Sequence, residues 1–355
     1  MKNTDGDTLA SSLWEQAGGD ALLDAAEDAG LLSGVAEIPD TTDILWTLDG
    51  RNVFVHIRDS LFSVSGGMLA HLGTLLGLLL LCALWQKYRA ARNGGDGGLL
   101  STVSAILIAL VSMEWFAALL DDTLMWFSSI HTQMTAALTA LLSLSAMRGM
   151  VTTASVTGAG MAFFLAVCEC ITGSVLPVFL RLCAGLSLAS AVGGDSCAGL
   201  DGLSGLLRRQ FLWLTGALMT ILCAVLSCQN VLARSADSVS GRAVKFALSG
   251  VIPVVGGAVG DAASTVSAGF SLVSETVGVL GVALILWQIL PPLITLLLTR
   301  VVYSAGAVFA SAIGFPRGER ILSECASLVG FLCGVTAAEG LCYLLMLILC
   351  MKGGS

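Results

Sequence analysis

MLAHLGTLLGLLLLCALW, residues 68–85, contains no Asp, Glu, Lys or Arg and is followed at once by Lys87, Arg89 and Arg92. A bilayer core about 30 Å thick takes roughly 20 apolar residues in helical form, so this run reads as a transmembrane helix. The basic residues after it hold the following loop in the cytoplasm and leave the preceding chain on the opposite side. The rest of the chain agrees in composition: it is 56% hydrophobic and 12% charged, with mean hydropathy +0.89. Soluble domains carry about 25% charged residues.

Upstream, DILWTLDGRNVFVHIRDSLF (43–62) spaces Leu45, Leu48, Phe54, Ile57, Leu61 and Phe62 as an amphipathic helix lying on the membrane surface before the first span. Residues 1–40 are acidic and Gly-rich and read as mobile. Residues 1–65 hold 12 acidic residues against Lys2, Arg51 and Arg58, a net of −9; the remainder holds 13 acidic against 14 basic, a net of +1. The chain therefore divides into an acidic extracytoplasmic region, 1–65, and a multi-pass membrane domain, 66–350. No basic n-region followed by an apolar h-region opens the chain, so no signal peptide is expected. The lipid bilayer is the expected surroundings; a nucleic-acid partner is not, since phosphate binding needs a basic face that no region supplies.

Downstream, spans are expected at about 99–119, ending at Asp121-Asp122, and about 133–147, ending at Arg148. Residues 156–193 form an apolar stretch broken at Gly173 and Pro177, as two short spans or a broken helix. GGDSCAGLDGLSGLLRRQ (193–210) reads as a cytoplasmic loop, and FLWLTGALMTILCAVLSC (211–228) spans again. An apolar run from 276 to 313 is broken by Pro291-Pro292; a basic turn, PRGER (316–320), precedes a last span at about 327–350. The expectation is an all-α polytopic protein with about 7–9 transmembrane helices, some broken or re-entrant.

CAGLSLASAVG (183–193) and SAGAVFASAIG (304–314) match at 6 of 11 positions at an offset of 121, and each precedes an arginine-bearing turn and a span. The same offset lays 156–193 on 277–314, both broken by proline. This suggests an internal repeat over about 156–230 and 277–350, as in pseudo-symmetric transporters and export-channel subunits.

Little in the chain supports catalysis. The three histidines, His56, His71 and His131, lie in the first third, and no Walker A or dinucleotide fingerprint occurs. Gly185-Leu-Ser187 resembles a nucleophile elbow only superficially and reads as packing sequence. The 11 cysteines include no CxxC pair and read as small apolar packing residues. No enzyme activity, metal or cofactor is expected. Charges inside apolar segments are the sharper signal, because burial in lipid costs at least a few kcal/mol. Glu114, Glu169, Arg181 and Glu339 are the candidates for a polar pathway or an intramembrane ion pair. A hairpin at the Gly173 break would bring Glu169 and Arg181 together. Gly73-xxx-Gly77 and Gly256-xxx-Gly260 permit close helix packing or homo-oligomerisation.

Between the two copies lies GRAVKFALSGVIPVVGGAVGDAASTV (241–266), whose uncharged core, 246–260, is too short to span. It is expected to be a re-entrant or interfacial joint. Together with the chain up to residue 286, Pro291 and AGAVFASAIG, it resembles the stage III sporulation protein AE family of endospore-forming Firmicutes. The matching positions are Arg242, Lys245, Phe246, Gly250, Ile252, Pro253, Val254, Gly256, Asp261, Ala262, Thr265 and Val266. The resemblance implies a polytopic subunit of a channel or export-like complex in the mother-cell membrane around the engulfed forespore, supporting late forespore development. It implies sister stage III sporulation A-operon membrane proteins as partners and, indirectly, a forespore-membrane partner. It brings no catalytic residues. A secondary transporter or permease for a small solute is the alternative reading, from the repeat and the four intramembrane charges.

Overall fold

The computed structural model describes residues 14, 19–28, 31, 50–93, 98–147, 150–193, 199–251 and 256–354, with 19, 21–22, 28, 50, 89–93, 98–100, 201, 234, 237–251, 256–275 and 350–354 in backbone only. These residues form helices α1 (Gly19–Asp28), α2 (Gly50–Asn93), α3 (Gly98–Met147), α4 (Val151–Glu169), a π-helical segment (Cys170–Val175), α5 (Leu176–Gly193), α6 (Gly199–Val251), α7 (Gly256–Ile313) and α8 (Pro316–Gly354). Among the described residues, six stretches are long and apolar enough to cross a membrane: Arg51–Tyr88, Ser101–Met147, Val151–Gly193, Gly202–Ala233, Thr276–Ile313 and Pro316–Leu349. No strand occurs among the described residues. The chain is a multi-pass helical membrane protein.

Six spans stand where about seven to nine were expected, because two breaks do not separate helices. Residues 99–119 and 133–147 belong to one helix, α3, which has no glycine or proline after its first residue. Asp121 and Asp122 mark its exposed side rather than a loop, and His131 is half-buried on the same helix. At the second break, α4 and α5 join through the π segment into one 43-residue span. Pro177 has no N–H to offer the carbonyl of Gly173, and a local change of helical pitch absorbs the mismatch. Nor do residues 50–62 form a separate helix, since they are the first turns of α2. Serine and threonine sit easily in these helices because many, such as Thr123 and Ser145, donate to a carbonyl one turn back.

The core has two apolar levels. One is built from the first half of α3, α5, the second half of α7 and the first half of α8 against α2 residues 68–82. The other joins the second half of α3, α4, the middle of α6, the first half of α7 and the end of α8. Reading each helix from one level to the other shows that the six spans alternate in direction. α4–α5 and α7 run in the same sense, as do α6 and α8. The offset of 121 lays Cys170–Val175 on residues 291–296, where Pro291 and Pro292 interrupt α7. The two stretches that the offset relates run in parallel orientation, although Pro177 itself falls on Leu298.

Part of the N-terminal region expected to be mobile is folded onto the core: Trp14, Ala26 and Leu31 are buried in the second level. Trp14 donates to Asp20, 3.0 Å away. The α7–α8 turn is closed by Gly314 at φ +83°, with Phe315 N donating to Ala310 and Gly314 N to Ser311. That left-handed conformation suits glycine, and Pro316 then opens α8 where its missing N–H costs nothing.

Between the two levels lies a waist at which the irregular backbone is repaired. Pro291 and Pro292 deprive the carbonyls of Trp287 and Gln288 of their helical donors. Trp126 Nε1 of α3 donates to the Gln288 carbonyl at 3.0 Å, and His56 Nε2 of α2 lies 3.2 Å from that of Trp287, its ring stacked on the Trp287 indole. Trp126 and Trp287 thus work inside the bundle. At the same place Gly340 of α8 leaves room for Ile289: an added Cβ would stand 1.8 Å from the Ile289 side chain.

Candidate functional site

Glu169 and Arg181 do not meet. The π segment continues the helix instead of reversing it, so the two lie 12 residues apart, about 18 Å along the axis at 1.5 Å per residue. Each finds a group on antiparallel α3 instead: His131 Nε2 lies 3.3 Å from Glu169 Oε2, and Arg181 Nη2 lies 3.8 Å from Asp121 Oδ1. The side chains of Glu169, Arg181 and Asp121 are all about two-thirds exposed (67%, 69% and 64%).

Glu114 is also exposed, with no hydrogen bond or ion pair among the described residues. It borders an open groove of about 370 Å³ between α2 and α3, with His71, Thr74 and Trp115. His71 stacks on Trp115, which leans on Tyr303, whose hydroxyl donates to the Ser112 carbonyl at 2.8 Å. Further along α3, Asp122, Ser128, Ser129, Thr132 and Thr135 are exposed. One side of the bundle, formed by α3, α4 and α5, therefore turns carboxylates, hydroxyls and an arginine outward. These groups stand among exposed apolar residues of the same helices, such as Leu110, Met125, Phe163, Val178 and Leu182, while the outward surface of α2 and α6 is leucine-rich, as at Leu80, Leu81 and Leu84 and at Leu212, Leu214 and Leu218.

Glu339 is different in kind. It is 4% exposed on α8, within the waist. Its Oε1 accepts from the Tyr343 hydroxyl at 2.9 Å, and its Oε2 receives no hydrogen bond among the described residues.

One polar cluster escaped the sequence reading. Arg208, placed there in a cytoplasmic loop, lies inside α6 and is 7% exposed. It donates to Glu324 Oε2 at 2.8 Å and to Ser327 Oγ at 2.7 Å, both on α8, and Ser187 Oγ of α5 lies 3.1 Å from the same carboxylate. The cluster clamps α5, α6 and α8 together and explains Ser187, the centre of the apparent nucleophile elbow, as a structural donor. Its partners are 116 residues apart, and no short-range spacing signals them.

Of the segment that carries the family resemblance, Arg242, Lys245, Phe246 and Gly250 lie on the last turns of α6, and Gly256 and Asp261 on the first turns of α7. Pro253 lies outside the described residues. Gly73 and Gly77 meet no side chain within 4 Å, so no helix among the described residues packs on that spacing. The nine described cysteines are free thiols, with Cys168 Sγ 3.9 Å from Met219 Sδ. No group of three potential metal ligands is assembled among the described residues.

Residues 46–354 match the family of stage III sporulation protein AE. The chain belongs to that family. It is 26% identical over 250 residues to stage III sporulation protein AE of Bacillus subtilis (strain 168), an alignment covering 68% of this chain and 61% of that protein. The chain thus spans less than two-thirds of that relative's length. No solved structure matches it. Membership makes this a sporulation protein, and with six apolar spans, a multi-pass membrane protein of sporulation.

Proposed function

We propose that this stage III sporulation AE protein is a non-enzymatic subunit of a channel or export-like complex in the mother-cell membrane around the engulfed forespore. Its partners are sister membrane proteins of the stage III sporulation A operon and, through them, a forespore-membrane partner. The observation that supports this best is the polar side of α3, α4 and α5. Glu114, Asp121, Glu169 and Arg181 are exposed on these three helices, among exposed apolar residues such as Leu110, Phe163 and Leu182. Charges facing lipid cost at least a few kcal/mol each, whereas facing a sister subunit, a second copy of the chain or a water-filled path they are satisfied. Helix length agrees: spans of 32 to 47 residues are about 48–70 Å long, against a hydrocarbon core of about 30 Å. A 20° tilt shortens them by only about 6%, so the bundle reaches beyond the membrane, as a part of an assembly crossing an intermembrane space must.

Complementation of a deletion strain tests the reading. Asp121→Arg or Arg181→Asp reverses a charge at an exposed position and leaves the core intact; each is expected to block late forespore development with the protein still inserted. Normal development in both variants would contradict it. The permease reading retains one supporting observation, the parallel pair of related stretches with an irregular helix in each, since broken helices form solute sites in many transporters. Solute uptake by liposomes holding the chain alone, lost in Glu169→Gln, would favour it.

A further inference from the structure

We propose that this chain pairs with a second copy of itself through two charges that it leaves unanswered, Glu114 of one copy meeting Arg300 of the other. The inference rests on the reading given above that exposed charges of the bundle face protein; it does not need the channel assignment. Arg300 interrupts the apolar run of α7 between Thr299 and Val301. It is exposed and leans along α8, where a Cβ added to Gly330 would stand 3.2 Å from the guanidinium carbon. Neither Arg300 nor Glu114 has a hydrogen bond or ion pair among the described residues. Arg208, Arg181 and Glu169, by contrast, are met within the chain by Glu324, Asp121 and His131. Charges inside a span are costly against lipid and as a rule face a partner or water.

The two unanswered charges lie at one depth. α3 and α7 run antiparallel, with the Tyr303 hydroxyl donating to the Ser112 carbonyl and Trp126 Nε1 to the Gln288 carbonyl. That register sets residue 114 level with residues 300–301. The helix ends agree: Glu114 lies 13 residues past Ser101 and Arg300 13 residues before Ile313, each about 20 Å from the same end of the bundle. Copies inserted in the same direction are related in a closed assembly by rotation about the membrane normal, which leaves depth unchanged. Groups that pair between copies must therefore share a depth, as these two do.

They also occupy different faces. Glu114 borders the groove between α2 and α3, while Arg300 stands one turn from Ser304, where a groove of about 570 Å³ opens between α7 and α8. Because α2 packs along α7, the two grooves flank the α2–α7 pair. Between them α2 exposes Gly66, Gly73 and Gly77, where an added Cβ would meet nothing of the described chain within 4 Å. Such positions admit a neighbouring helix at close range. Rotation of one α2–α7 pair against another sets each Glu114 opposite an Arg300, and guanidinium and carboxylate then match as two parallel N–H···O bonds. A sister subunit would have to bring both an acid and a base to this depth, whereas a second copy supplies both by symmetry.

Co-purification of two differently tagged copies of the full chain, expressed without its sister proteins, tests this. Wild-type copies are expected to recover one another. Glu114→Arg leaves two cations on each copy and Arg300→Glu two anions, so neither variant should recover itself, a loss of about tenfold or more. Expressed together, the two variants restore opposite charges at both contacts, and recovery should return to near the wild-type level. Both positions are exposed, so each variant is expected to melt within a few degrees of wild type. Glu114→Gln and Arg300→Gln, which remove the charge without reversing it, should weaken recovery less than the reversals. Wild-type copies that stay monomeric, a reversed variant that recovers itself as well as wild type does, or two variants that recover each other no better than themselves would overturn the proposal. Failure here is distinct from failure of the channel reading, which forespore development tests.

Discussion

His56 and Trp126 show how single residues make a broken helix viable inside this bundle. Each meets a carbonyl that a proline left bare. An unsatisfied buried carbonyl costs about 1–3 kcal/mol, so Trp126→Phe should lower the unfolding free energy by about that amount. In a Pro292→Ala background, where the new alanine's N–H serves the same carbonyl, the loss should shrink; thermal melts of the four proteins read the coupling. Arg208 and Glu324 make a second test. Glu324→Ala strands a buried guanidinium and should cost about 3–5 kcal/mol, while the double variant Arg208→Met/Glu324→Leu should recover most of it. Equal melting points for the single and double variants would contradict the clamp. Legibility at this scale was uneven. Glu114, Glu169, Arg181 and Glu339 were visible because each is a charge in an apolar run, yet their partners were not. Sequence proximity pointed Glu169 toward Arg181, whereas the partners came from antiparallel α3, where 131 faces 169 and 121 faces 181. Arg208 was missed because neighbouring glycines and Asp201 gave its stretch the composition of a loop.

Elements were legible where backbone chemistry decides them. Pro177 lies just after the π segment and Pro291-Pro292 lie within α7, though neither ends a helix. The division of residues 99–147 into two spans failed because polarity alone does not break a helix that lacks glycine and proline. The joint at 241–266 proves to be the end of α6 and the start of α7, flanking Pro253. If it couples the two halves, Pro253→Leu with Gly256→Leu will leave membrane insertion unchanged and impair complex assembly, measured by co-purification with the sister proteins. Wild-type recovery of the complex and normal spore yield would rule that coupling out.

For the whole molecule, alternation of six spans puts the turns after α2, α5 and α7 at one end and both ends of the described chain at the other. Lys87, Arg208, Arg209, Arg317 and Arg320 gather toward the first end, which the positive-inside rule would place in the cytoplasm. A reporter active only outside the cytoplasm should therefore respond when fused after residue 354 and stay silent when inserted at the α7–α8 turn; the reverse pattern would overturn the topology. Membrane class and family were open to sequence reasoning because composition and the 241–266 run carry them. The polar side of the bundle was not, since which residues of a helix face outward depends on how six helices pack. That side carries the central claim, that the charged surface of α3, α4 and α5 meets protein or water and not lipid. Site-specific photocrosslinking in sporulating cells tests it most directly, with the probe at exposed Ser174 and, for comparison, at exposed Leu214. The account predicts that Ser174 joins to a sister sporulation subunit or a second copy of the chain while Leu214 joins to lipid; lipid adducts alone from both positions would contradict it.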